Sequence, residues 1–67
     1  MMKKSDYKIG KELMEAIGED MIKGGTINMD VIVTLARDSV YTNLGVDISY
    51  KDTEKSIMNG MLRGMRN

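Results

Sequence analysis

The sequence predicts an all-α fold, a small three-helix bundle with helices at about residues 5–23, 28–44 and 50–65. Apolar residues recur at three- and four-residue spacings in three separate stretches, and glycines stand where the first two stop, at Gly24-Gly25 and at Gly45. The chain has 67 residues, so residues 1–67 read as one helical domain.

In the first stretch Ser5 or Asp6 can cap, and Ile9, Leu13, Met14, Ala16, Ile17 and Met21 follow at a helical period. Its outer side sets opposite charges four apart, Lys8 with Glu12, Lys11 with Glu15 and Glu19 with Lys23. Gly24-Gly25 ends it, since glycine readily takes the left-handed cap conformation. Gly10 and Gly18 lie inside it, each costing roughly 1 kcal/mol relative to alanine. Gly10 falls on the apolar side, where it is either a point of close helix approach or merely tolerated.

The second helix takes Thr26 or Asn28 as its N-cap and has Asp30 in its first turn. Met29, Ile32, Val33, Ala36 and Val40 make one stripe, while Val31 and Leu35 lie on another side. A helix apolar around most of its circumference is expected in the middle of an assembly. Val31-Ile32-Val33-Thr34 also suits a strand beginning near Thr26. The helical pattern running on from Leu35 to Leu44 decides for helix, and Gly45 followed by Val46 suits a Schellman-type ending.

Ser49 with Asp52 three residues on is a short capping pattern for the third helix. Ile57, Met58, Met61, Leu62 and Met65 form its apolar stripe, and Gly60 and Gly64 predict that its last turns fray. The two connections, of about five residues each, suit sequential antiparallel packing.

Composition excludes more chemistry than it suggests. There is no Cys, His, Trp, Phe or Pro, so thiol nucleophiles, imidazole bases, disulfides and zinc fingers have no residues to build on. Lys and Arg total 10 and Asp and Glu total 10, which leaves no net bias toward nucleic acid or an anionic membrane. Residues 1–11 net +3, residues 12–20 net −4 through Glu12, Glu15, Glu19 and Asp20, and residues 55–67 net +3 through Lys55, Arg63 and Arg66. An up-down-up bundle sets the two basic ends at opposite poles, which opposes a single phosphate-binding patch. After Met1-Met2-Lys3-Lys4 comes Ser5-Asp6-Tyr7-Lys8 where a signal peptide needs an apolar run. The longest uncharged stretch, 39–46, is far short of the ~20 residues that span a bilayer. A soluble cytoplasmic protein is expected.

Four local patterns invite specific chemistry. Glu12, Glu15 and Glu19 repeat on one side of the first helix as metal-binding carboxylates can, but with lysines beside them and no histidine they read as an ion-paired surface. Residues 43–54 match a calcium loop in length and in their final Glu54. They fail at Gly45, Ile48 and Lys51, where ligands or the turn glycine should stand. Lys23-Gly24-Gly25-Thr26 before a helix suggests a phosphate cradle, yet the full Gly-rich order is absent and Asp30 would face the anion. Gly25–Ala36 loosely resembles the Gly-Gly-x-Ile segment of small acid-soluble spore proteins. Asn28, Met29 and Asp30 stand where that family has Lys and Arg, so its DNA-coating role is not implied here. No metal, cofactor or catalytic residue is expected.

The functional expectation rests on methionine. Eight of the 67 residues are Met, and thioether surfaces suit adaptable protein binding. The chain reads as a non-enzymatic interaction or regulatory module of adaptor, inhibitor or accessory type. Its size suits a phage or mobile-element protein. Its partner-binding strip is Met58, Met61, Leu62 and Met65, docking another protein or a second copy, with a homodimer expected at this size. The alternative is a helix-turn-helix-like DNA-binding regulator turning at Gly45. Its third helix would show Tyr50, Lys51, Asp52, Thr53, Glu54 and Lys55 to the groove and contact phosphates through Lys51, Lys55, Arg63 and Arg66.

Overall fold

The computed structural model describes residues 4–25 and 28–66, and within them three helices: α1 (Lys4–Gly24), α2 (Met29–Leu44) and α3 (Tyr50–Arg66). No strand is present among the described residues, so residues 29–34 are helix and not strand.

The ends form largely where the residues direct them. Gly25 takes a left-handed φ of 74° and donates its N–H to the Met21 carbonyl. Asn28 is extended and its side chain accepts from the Val31 amide at 3.4 Å, making it the cap of α2; Thr26 lies outside the described residues. Gly45, at φ 68°, closes α2 with one bond from its N–H to the Tyr41 carbonyl. This is the simpler left-handed cap rather than the paired Schellman ending. Ser49 accepts the Asp52 amide at 3.1 Å and opens α3. α1 begins a residue earlier than expected, so Ser5 and Asp6 lie within its first turn and not at its cap.

The core comprises Met14, Met21, Val33, Ala36, Val40, Val46, Ile48 and Ile57, with Tyr7, Ile17, Met29, Ile32, Leu44 and Met61 packed against it. Two of the core residues come from the α2–α3 connection. There Val46 and Ile48 are buried while Asp47 points out, the alternation of an extended segment. Arg37 holds this segment from α2, donating its Nε to the Ile48 carbonyl at 2.8 Å and reaching Asp47 at 3.5 Å.

α1 and α3 form the most extensive pairing and run parallel. Tyr7 meets Asp52, Glu15 meets Gly60 and Glu19 meets Gly64, each pair 45 positions apart. The seam is built on glycine. A Cβ on Gly18 would fall on the Ile57 carbonyl, and one on Gly60 would fall on the Glu15 carbonyl. One on Gly64 would lie 3.2 Å from the Glu19 carbonyl. Gly60 and Gly64 therefore do not mark fraying; they let two helix backbones touch, and α3 continues to Arg66. Gly10 serves α2 in the same way, since its Cβ would stand 2.9 Å from Val40 Cγ1 and 3.1 Å from Ile48 Cδ1.

This seam turns the helices away from the faces that their apolar stripes predict. α1 buries Gly10, Met14, Gly18 and Met21, leaving Ile9, Leu13 and Ala16 exposed. α3 buries Thr53, Ser56, Ile57 and Gly60, and most of its apolar stripe faces outward. The physical reason is distance: small residues permit an approach that Leu and Met would block, and Ile57 then fills the space between the helices.

α2 is not central. It contacts α1 and α3 far less than they contact each other. Its last turns lie by Gly10 of α1, while Asp30 in its first turn accepts the Tyr50 hydroxyl of α3 at 2.6 Å. Since Tyr7 and Asp52 set the N-terminal ends of α1 and α3 level, α2 crosses those ends instead of lying antiparallel between them. Val33, Ala36 and Val40 face the core as expected, and Val31, Leu35 and Tyr41 are left exposed.

Candidate functional site

The outer face of α3 holds the residues that carry the functional expectation. Met58, Leu62 and Met65, at i, i+4 and i+7, are 50%, 55% and 69% exposed. Met61 differs from its neighbours: it is half-buried and packed against the core, at the edge of the strip. Lys51, Lys55 and Arg66 are exposed on the same helix and flank the apolar run.

α2 presents a second exposed apolar pair, Val31 and Leu35. With Asp30 and Thr34 they line an open recess of about 300 Å³. Asp38, exposed, continues this face one turn further on. Sequence reading placed Val31 and Leu35 on their own side of the helix but assigned that side to the interior. The signal that could have corrected it is the packing stripe already complete at Val33, Ala36 and Val40, with Asp38 on the side of Val31 and Leu35.

A larger open groove of about 670 Å³ runs beside α1, lined by Lys4, Tyr7, Lys8, Lys11, Glu12, Glu15 and Arg63. Two of its charges, Glu15 and Arg63, are paired with each other. Arg63 reaches across from α3 to Glu15 and Glu19, at 3.4 Å each. Glu19 also meets Lys23 at 3.9 Å, the expected pair within α1. Glu15 was expected to pair with Lys11 and goes to Arg63 instead, while the Lys11 ammonium stands 5.7 Å above the Tyr7 ring. Glu15 and Glu19 of the acidic ladder are ion-paired, the expected Lys8–Glu12 pair is not formed, and no three acidic residues are grouped as metal ligands among the described residues.

The residues named for DNA contact divide. Lys51, Lys55, Arg63 and Arg66 are all exposed, but Arg63 is engaged by two carboxylates, Glu15 and Glu19. Thr53, expected to show toward a groove, is fully buried and donates its hydroxyl to the Ser49 carbonyl at 2.7 Å. Asp52 accepts from Tyr7 at 3.1 Å, and Tyr50 is engaged with Asp30. The first turns of α3 are thus fastened to α1 and α2.

Those two tyrosines make stability sensitive to alkali. Burial, then the hydrogen bond to Asp52 and that carboxylate's charge, push the Tyr7 phenol above its ordinary value. The hydrogen bond to Asp30, then burial, then the charges of Asp30 and Glu54, do the same for Tyr50. The folded chain therefore keeps these protons to higher pH than the unfolded chain. Their contribution is present below about pH 10 and is lost as pH rises through the raised values. The urea midpoint of the wild type should fall more between about pH 9 and 11 than that of a Tyr7→Phe/Tyr50→Phe variant. Parallel curves for the two proteins would refute the assignment.

No helix among the described residues is long and apolar enough to cross a membrane. No known protein family, curated protein or solved structure matches this chain.

Proposed function

We propose that this chain is a small non-enzymatic interaction module, acting in the cytoplasm as an accessory, adaptor or inhibitor, that docks a protein partner through the outer face of α3. The observation that carries this is the exposure of Met58, Leu62 and Met65 on a helix whose opposite face is already satisfied by the glycine seam. Such residues are costly to leave in water, at about 25 cal/mol for each Å² of apolar surface, and they gather on one strip rather than scatter. Two of the three are methionines, whose unbranched side chains adapt to a partner's contour. The cations at Lys51, Lys55 and Arg66 border the strip and favour an acidic rim on whatever it meets.

A photoactivatable crosslinker at position 62 tests this in the cell that makes the protein. The expected result is a defined protein adduct that disappears when Met58→Asp is added, with helicity unchanged by circular dichroism. A crosslinker at Lys23, exposed but away from the strip, should not give it. Absence of a defined adduct from position 62, or the same adduct from position 23, would overturn the reading.

A further inference from the structure

We infer that the partner of the α3 strip is a second copy of this chain, and that the strip docks on the exposed face of α2 in that copy. This rests on the docking role proposed for α3 and adds its occupant.

Charge complementarity selects the pairing. The exposed face of α3 reads Lys51, Lys55, Met58, Leu62, Met65, a four-three spacing with Arg66 beside its end and the half-buried Glu54 at its margin, so that cations outnumber acids on it. The exposed face of α2 reads Val31, Leu35, Asp38, Thr42, the same spacing, with Asp30 beside its start, while Arg37 on that flank is turned to the Ile48 carbonyl and Asp47. Two faces with four-three spacing can interdigitate as left-handed helix pairs do. An α3–α3 contact between copies offers these cations only the half-buried Glu54 as an acid, whereas an α3–α2 contact can set Lys55 against the exposed Asp38.

Shape agrees with charge. The recess lined by Asp30, Val31, Thr34 and Leu35 is about 300 Å³, open outward, and apolar at its floor, room enough for a Leu or Met side chain. In one antiparallel register Val31 faces Leu62, Leu35 faces Met58 and Asp38 faces Lys55, so both apolar layers and an ion pair form together. Each copy offers one strip and one recess, so the contact can occur twice in a two-fold dimer.

Sedimentation equilibrium of the purified chain over a concentration series is the test. The wild type should dimerise. Leu62→Asp should weaken dimerisation at least about 30-fold, as loss of a central apolar anchor does. Asp38→Lys and Lys55→Glu should each weaken it by roughly three- to tenfold. The two together in one chain should restore it, because the reversed charge on α3 of one copy then meets the reversed charge on α2 of the other. A wild type that stays monomeric throughout, or a dimer indifferent to Leu62→Asp, would overturn the proposal. So would a dimer that Leu62→Asp breaks but the paired charge exchange does not restore, since α2 is then not the receiving face. A monomer whose position-62 crosslinker still captures another protein removes the second copy while leaving the docking role of α3 in place.

Discussion

Gly60→Ala should lower stability by about 3 kcal/mol, enough to unfold a large share of a chain this small. Alanine is the better helix former by roughly 1 kcal/mol, so propensity alone predicts stabilisation. The seam reverses the sign. The added methyl would lie on the Glu15 carbonyl, which is backbone and cannot rotate aside, so α1 and α3 must separate along their contact. Gly18→Ala meets the Ile57 carbonyl in the same way and should behave likewise. Gly24→Ala is the control: nothing lies within 4 Å of its Cβ, and it should be neutral or stabilising by up to about 1 kcal/mol. Thermal melts of the three variants decide the matter. Gly60→Ala and Gly24→Ala shifting the midpoint equally would mean that the helices do not touch at Gly60.

Met14→Ala should cost about 3 kcal/mol, and Met65→Ala less than about 0.5 kcal/mol. Met14 is fully buried in the core, so truncation leaves a cavity bordered by residues held in place by three helices. Met65 is 69% exposed and its loss removes surface that was in water already. Denaturant unfolding measured at low protein concentration, where self-association does not contribute, should separate the two variants. Equal losses would contradict the placement of α3. Among the described residues the methionines thus divide between core and surface: Met14 and Met21 buried, Met29 and Met61 intermediate, Met58 and Met65 outward.

The candidate strip was legible in part. Met58, Leu62 and Met65 were readable as a stripe from their spacing, but spacing cannot say whether a stripe faces the core or the solvent. Met61 belongs to the same run and packs inward, because it stands one helical turn from the buried Ile57 at the edge of the core-facing side. Val31 and Leu35 were visible as a second side of α2, and their exposure depends on how lightly α2 is engaged. Val46 and Ile48 were read as connection, yet the strict alternation around Asp47 was the available sign that an extended segment enters the core.

By itself the sequence determined the three helices and nearly all of their ends. Those are local matters: the left-handed turns at Gly25 and Gly45, the cap oxygens of Asn28 and Ser49, and a 3.6-residue period that backbone hydrogen bonding imposes on any such run. Only the tertiary structure decided which faces are buried. A glycine within a helix is a local weakness until a second backbone lies against it, and Gly18 meets α3 nearly forty positions along the chain. Close backbone contact outweighs the larger hydrophobic stripe because Leu or Met in that seam would hold the helices apart and leave Ile57 and Met14 without neighbours. What is left outside, on α3 and on α2, is the apolar surface on which the proposed docking rests.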